Sequence, residues 1–106
     1  MNNSSLPAGI RTIPDRAYAR TAARALALDL YLDEKAAQPQ PLIVYVHGGA
    51  FRMGSKDDCA EALELLSSGF AVASIGYRFS QEALFPAQIR DIKAAVRWLR
   101  AHAAEY

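Results

Sequence analysis

Residues 42–51 read LIVYVHGGAF, an apolar run that changes abruptly to His-Gly-Gly. The first five residues are aliphatic or aromatic and show no polar alternation, which is typical of a strand buried on both faces in a parallel sheet. Glycine has no Cβ, so the backbone N–H groups of a glycine-rich loop can come close to a ligand. Amides presented at the end of a strand are the donors from which oxyanion holes are built. Leu42–Val46 is therefore predicted to be a strand that leads into an anion-stabilising loop.

Strand and helix patterns alternate along the second half of the chain. Apolar runs predict strands, and apolar residues at helical spacing predict helices. The predicted strands are Arg16–Thr21, Ala25–Leu32, Leu42–Val46 and Ala71–Ile75, and the predicted helices are Asp58–Ser67 and Pro86–Ala104. This order favours an α/β fold with a partial sheet, mixed or mostly parallel, and two helices. The first two strands are expected to form an antiparallel hairpin at the sheet edge.

Two patterns compete within residues 25–32. Leu26, Leu28, Leu30 and Leu32 have the period-two spacing of a strand, whereas alanine and leucine both favour a helix. We expect a strand, because the segment is short and leads into a loop.

Capping signals mark the ends of the predicted helices. Asp57 and Asp58 stand where an N-cap and a first-turn acid belong, and Gly69 suits a C-cap. In the second helix, the apolar stripe expected to face the core consists of Ile89, Ile92, Val96 and Leu99.

The composition is that of one small globular domain. The chain has 106 residues, of which 52% are hydrophobic, and a formal net charge of +1. Residues 1–15 are predicted to be a flexible lead-in and residues 16–106 the domain. The balanced charge gives no electrostatic reason to expect nucleic acid or an anionic membrane as a partner. Because neither a signal-peptide pattern nor an apolar run of bilayer length is present, a cytoplasmic location is expected.

Several motifs in a fixed order carry a family resemblance between Ala17 and Tyr106. They are Leu28-Asp29-Leu30-Tyr31-Leu32, the Val44–Phe51 segment with His-Gly-Gly, Gly54-Ser55, Gly76-Tyr77-Arg78, and Phe85–Asp91 followed by Val96–Leu99. In this order and spacing the chain resembles the N-terminal part of α/β-hydrolases, specifically His-Gly-Gly carboxylesterases and lipases. Within these it is similar to hormone-sensitive-lipase-like, feruloyl-esterase-like and arylformamidase-like enzymes.

The resemblance implies a role for the His-Gly-Gly loop. The oxyanion-hole donors would be the backbone N–H groups of Gly49 and Ala50, with Gly48 as the alternative donor. His47 would support the loop through a side-chain hydrogen bond. It would not be the catalytic base, because the triad of these enzymes runs Ser, acid, His along the chain. The family implies neither a metal nor an organic cofactor.

No Gly-x-Ser-x-Gly nucleophile turn occurs in these residues. The chain is therefore expected to be an esterase fragment that ends before the nucleophile elbow and is inactive alone. It would lack the nucleophile Ser, the triad acid and the triad His, and its parent would act on small carboxylic esters. Without a fifth strand, Leu42–Val46 would be an exposed edge that promotes self-association or pairing with a missing C-terminal half. The alternative is a non-catalytic truncated paralogue, or an interaction module that pairs through this edge.

Other residues whose side chains could act as nucleophiles or ligands are assigned structural roles. None of the serines at 55, 67, 68, 74 and 80 lies in a glycine-flanked elbow. The order Gly54-Ser55-Lys56 reverses the Lys-Ser/Thr order that a P-loop needs. Cys59 is expected in the core and His102 at the surface, and with His47 they lack metal-ligand spacing. Arg78 and Asp91 are predicted to form a salt bridge that anchors the loop before the second helix.

Overall fold

The computed structural model describes residues 6, 8–36, 39–48, 54–84 and 86–106. It contains four strands in these residues: β1 Ile10–Arg20, β2 Ala25–Asp33, β3 Leu42–Val46 and β4 Ala71–Ile75. The helix α1, Ala60–Leu63, continues as a 3₁₀ turn over Glu64–Ser68, and the helix α2, Ala87–Ala101, is followed by a 3₁₀ turn over Ala103–Glu105.

The four strands form one mixed sheet in the order β1-β2-β4-β3. β1 pairs antiparallel with β2, and β2 pairs antiparallel with β4. β3 and β4 are parallel, with Leu42 opposite Ala71 and Val46 opposite Ile75. The predicted α/β class, the mixed sheet with two helices and the N-terminal hairpin at the sheet edge are confirmed.

The first strand is longer than predicted. It begins at Ile10 rather than Arg16, so the part of the expected lead-in from Ile10 to Asp15 belongs to the sheet. The pairing with β2 shifts register between Ile13 and Arg16, where Asp15 has a φ of 56°. The Asp15 amide donates to Asp29 Oδ1 at 2.8 Å, which satisfies the donor that the bulge removes from the ladder. Pro14 and the bulge at Asp15 interrupt the alternation of side chains between the two faces of the sheet. A period-two pattern therefore does not predict this part of the strand.

The burial predicted for β3 is wrong, although its parallel pairing is confirmed. Leu42 is 40% exposed and residues 43–46 are half-buried, whereas all five residues of β4 are buried. The strand order explains the difference. β4 lies between two strands, while in the described residues β3 pairs with β4 alone.

The two helices cover opposite faces of the sheet. One core cluster joins α2 to the leucine face of β2 and includes Leu28, Leu30, Ala73, Ile75, Ala95 and Leu99. The other joins α1 to the opposite face and consists of Tyr31, Cys59, Ala62, Leu63, Leu66 and Val72. The strand prediction for β2 and the core position of Cys59 are therefore confirmed.

The buried face of α2 differs from the predicted stripe. Its buried residues are Gln88, Asp91, Ala95 and Leu99, while Ile89 is 36% exposed and Ile92 and Val96 are half-buried. Hydrogen bonds explain why this face of α2 is turned toward the core. Asp91 bonds Arg78, and Gln88 Nε2 donates to the Ala83 carbonyl at 3.0 Å. Both carboxylate oxygens of Asp91 accept hydrogen bonds from Arg78, whereas the buried Gln88 Oε1 has no hydrogen-bond partner among the described residues.

The first helix is shorter than predicted and has a different N-terminus. It starts at Ala60, and its N-cap residue, Cys59, makes no side-chain capping bond. Asp58 instead accepts the Ser55 amide at 2.8 Å, which forms a turn before the helix. Gly69, with a φ of 91°, caps the 3₁₀ turn as predicted.

Side-chain contacts fix the start of the loop that follows β4, at Gly76 and Arg78. Tyr18 Oη donates to the Gly76 carbonyl. Arg78 Nη2 lies 2.8 Å from Asp91 Oδ1, and the Arg78 amide donates to Asp91 Oδ2 at 2.9 Å. The predicted salt bridge is confirmed, and it joins the buried carboxylate of Asp91 to the partly exposed guanidinium of Arg78.

We predict that the Arg78–Asp91 pair is strongly coupled. Arg78→Ala leaves the buried Asp91 carboxylate without its counter-charge and is expected to cost about 3 kcal/mol of unfolding free energy. Asp91→Ala leaves the partly exposed Arg78 guanidinium, so it is expected to cost less. A double-mutant cycle by urea denaturation should give a coupling energy above about 1 kcal/mol. The control is the exposed Arg11–Glu34 pair, at 3.4 Å, which should couple by less than about 0.5 kcal/mol. Equal coupling in the two pairs would contradict the prediction.

Candidate functional site

A cleft of about 420 Å³ lies at the carboxyl ends of β3 and β4. His47 follows β3 and Gly76 follows β4, and because these strands are parallel, both residues emerge at the same edge of the sheet. Ligands of open α/β sheets bind at this edge. The residues lining the cleft are Arg24, Ala25, Ala27, His47, Gly54, Ser55, Lys56, Asp57, Gly76, Tyr77, Phe79 and Glu82.

His47 is held by contacts on its ring and on its backbone. The side chain is 3% exposed, and Nδ1 lies 2.8 Å from the carbonyl oxygen of Gly48. Because a carbonyl oxygen only accepts, Nδ1 carries the hydrogen in this contact. The ring of Tyr77 stacks on the imidazole with centroids 4.4 Å apart, and Tyr77 Oη donates to the His47 carbonyl at 2.8 Å. His47 Nε2 has no hydrogen-bond partner among the described residues.

Gly54 brings the far end of the loop against His47. Its φ is +93°, and a Cβ at this position would lie 2.8 Å from His47 Nδ1 and 2.9 Å from the Gly48 carbonyl oxygen. Only glycine fits there without displacing one of these groups. Gly48 is different, because no described atom lies within 4 Å of the position that its Cβ would occupy. Among the described residues, the loop that leaves β3 is thus tightly packed at Gly54 and has space beside Gly48.

Lys56 ties the same loop to the sheet. Its Nζ lies 2.8 Å from Asp15 Oδ1 and 3.0 Å from Asp29 Oδ1, and Asp29 is 3% exposed. Burial opposes the charge of Lys56, but the hydrogen bonds to both carboxylates outweigh it and raise its pKa. The Lys56 carbonyl accepts the Ser74 hydroxyl at 2.6 Å. Ser74 thus has the structural role expected for it.

An ion pair closes one side of the cleft. Arg24 Nε and Nη2 each lie 2.8 Å from a carboxylate oxygen of Glu82, so the β1–β2 turn is joined to the loop after β4. The hydrogen bond from Arg24 is the main cause of the lowered pKa of Glu82. Glu82 Oε1 also accepts the Phe79 amide at 3.3 Å. The ring of Phe79 meets both Tyr77 and His47 edge-on.

The structure brings together only part of the predicted site. His47 lines the cleft and Gly48 follows it in the chain, whereas Gly49 and Ala50 fall outside the described residues, so the role of these glycine and alanine amides as donors stays a prediction. His102 is half-buried, stacks on Trp98 and is not one of the residues that line the cleft. Within the described ranges, no group of three or more His, Cys, Asp or Glu residues could hold a metal ion.

The contacts of Tyr77 and Asp29 were not predicted from the sequence. Tyr77 belongs to the quoted Gly-Tyr-Arg motif, and Asp29 is a single carboxylate within an apolar strand. A carboxylate in an apolar strand indicates that a hydrogen-bond or ion-pair partner lies nearby, because a buried charge needs one. Its partner, Lys56, is far away in sequence and carries no local signal.

Known proteins match most of the chain. Residues 28–106 match the BD-FAE family. Carboxylesterase NlhH of Mycobacterium tuberculosis is 37% identical over 67 residues, which cover 61% of this chain and 21% of NlhH. Esterase LipI of the same species is 38% identical over 64 residues, or 58% of this chain and 20% of LipI. The matched segments thus span about a fifth of the length of these curated relatives.

Solved structures match nearly the whole chain. A truncated carbohydrate esterase from gut microbiota superimposes with a TM-score of 0.77 at 35% identity, covering 91% of this chain and 35% of that protein. The esterase LipW of Mycobacterium marinum gives a TM-score of 0.75 at 29% identity, covering 92% of this chain and 31% of LipW. No helix in the described part of the chain is long and apolar enough to cross a membrane. The chain therefore belongs to the BD-FAE family, and its mixed sheet with two helices is part of an α/β-hydrolase fold of the esterase type.

Proposed function

We propose that this chain supplies the oxyanion-hole loop of a serine carboxylesterase that acts on small carboxylic esters. The observation that carries the proposal is the His47-Gly48 turn at the end of β3. His47 lines the cleft and is held by Tyr77 and Gly54, and no described atom lies within 4 Å of a Cβ at Gly48. The esterase names of the relatives support the reaction class. The proposal assigns the nucleophile and its partners to polypeptide outside these 106 residues.

The proposed reaction is acyl transfer through a serine. The serine hydroxyl attacks the ester carbonyl, and the triad histidine takes its proton and then gives it to the leaving alcohol. The negative charge that develops on the carbonyl oxygen is stabilised by the amides of Gly49 and Ala50, with Gly48 as the alternative donor. His47 serves as loop support. A base needs an accessible nitrogen, and the His47 side chain is buried with Nδ1 already bonded to Gly48.

We predict that the isolated chain does not hydrolyse p-nitrophenyl acetate above the buffer rate, because the nucleophile is missing. A chimera should be active in which these 106 residues replace the matching segment of the gut carbohydrate esterase. Active sites are counted by titration with a phosphonate inhibitor. Turnover by the isolated chain that this inhibitor abolishes would contradict the proposal, as would a folded chimera that binds the inhibitor but has no turnover.

We predict that alanine at either glycine of the loop lowers kcat, but that only alanine at Gly54 also lowers Tm. In the chimera, the Cβ of Gly48→Ala would meet no described atom within 4 Å, and under the proposed function it would obstruct the approach of the substrate carbonyl to the loop amides. It is therefore expected to lower kcat by about 10–100-fold with little change in Tm. Gly54→Ala combines a positive φ with a clash against His47 and should lower both Tm and kcat.

The matched control for Gly54 is Gly69, which has a φ of +91° but no described atom within 4 Å of a Cβ position. Gly69→Ala introduces the same backbone strain away from the cleft, so it should lower Tm while kcat stays unchanged. A Gly48→Ala chimera with the kcat of the parent would count against the oxyanion role of this loop.

In the described part of the chain β3 is the last strand of the sheet and pairs with β4 alone, which favours the second candidate function, pairing with another chain. Leu42 is 40% exposed, and a hydrophobic edge strand is a template for a further strand. We predict that the isolated chain self-associates with rising concentration and that Leu42→Lys reduces this association. Leu65→Lys is the control, because Leu65 is equally exposed, at 37%, but lies on the 3₁₀ turn. A monodisperse monomer in analytical ultracentrifugation would rule out the pairing.

A further inference from the structure

We propose that Tyr77 is the positioning residue of the oxyanion loop, an inference that rests on the proposed function. Its phenol bonds the His47 carbonyl, and its ring stacks on the His47 imidazole. Through these two contacts it sets the orientation of the two successive peptide groups that follow His47.

The first contact acts on the peptide between His47 and Gly48. The peptide group is planar and trans, so its C=O and N–H point in opposite directions. Tyr77 Oη donates to the carbonyl oxygen of His47 at 2.8 Å. The N–H of Gly48 belongs to the same planar group and is therefore directed away from Tyr77. Fixing one carbonyl thus fixes the direction of one candidate donor.

The second contact acts on the following peptide through the imidazole. His47 Nδ1 donates to the Gly48 carbonyl at 2.8 Å, and this carbonyl shares its peptide group with the Gly49 N–H, a proposed donor. The imidazole can hold that carbonyl only if the ring itself does not rotate. The ring of Tyr77 lies 4.4 Å away at an interplanar angle of 17°, and Phe79 meets the same imidazole edge-on at 5.8 Å. Stacking of this kind restricts rotation of the ring.

Burial and anchoring suit Tyr77 to this role. The side chain is 2% exposed, and burial raises the pKa of its phenol, so the hydroxyl stays a donor. Its backbone lies between Gly76, which donates to the Ala27 carbonyl at 2.9 Å, and Arg78, which bonds Asp91. The tyrosine therefore connects a fixed part of the sheet to the loop.

The test uses the chimera with Tyr77→Phe, which removes the hydroxyl and keeps the ring. The expected result is a fall in kcat of about tenfold with KM changed by less than about twofold, because oxyanion donors that are misdirected cost the transition state more than the ground state. Inactivation by the phosphonate should slow in parallel. Activity is expressed per titrated active site and measured well below the Tm of every variant, so that only folded enzyme is compared.

Tyr18→Phe is the matched control. Tyr18 also donates its phenol to a carbonyl of the same loop, that of Gly76, but it does not contact His47. It should lower Tm by a similar amount and leave kcat unchanged. If Tyr77→Phe has the kcat of Tyr18→Phe, the positioning role is overturned. A kcat that falls in Gly48→Ala but not in Tyr77→Phe overturns this inference alone, whereas an unchanged kcat in Gly48→Ala overturns the proposed function itself.

Discussion

Because β3 and β4 pair in parallel, with Val46 opposite Ile75, the carboxyl ends of both strands lie side by side. The next residues of each strand therefore meet: His47 from β3 and the Gly76-Tyr77 pair from β4. A shift of one residue in this register would displace Tyr77 relative to His47 by about 3.3 Å along the strand direction. The stack between Tyr77 and His47, the hydrogen bond to the His47 carbonyl and the cleft beside them all depend on this register.

Charged side chains in partly buried positions hold in place the segments around the carboxyl ends of β3 and β4. Lys56 connects the loop after β3 to Asp15 on β1 and to Asp29 on β2, and Arg24 connects the first hairpin to the loop after β4. Such pairs add modest net stability, since desolvation offsets much of the attraction. Their geometric effect is larger, because each joins elements that are distant in sequence. The N-terminal hairpin thereby becomes part of the wall of the cleft.

The elements with strong local patterns could be predicted from the sequence. The apolar run of β3, the leucine alternation of β2 and the glycine cap at Gly69 each follow from local physics, and so does the approximate position of α2. The face that α2 buries could not be predicted, because Asp91 is buried only as the partner of Arg78 and hydropathy alone assigns it to solvent. The start of β1 was missed for a related reason: the bulge at Asp15 is satisfied by Asp29, which lies in another strand.

Within the candidate site, the resemblance identified His47 and Gly48 but not the residues that hold them. Tyr77 is adjacent to His47 only through the strand order, and a single sequence carries no signal for a contact across 30 residues. Gly54 was recognised as a motif residue, but the reason for glycine there became visible only with the position of His47 Nδ1. The residues with a proposed chemical role could thus be predicted from the sequence, whereas the contacts that hold them in place could not.

The packing of Gly54 against His47 and the stacking of Tyr77 on the same imidazole make these three positions mutually dependent. A substitution at one of them alters the surroundings of the other two, so their effects on folding are not expected to add. In evolution, these three positions would therefore be constrained as a unit rather than one at a time.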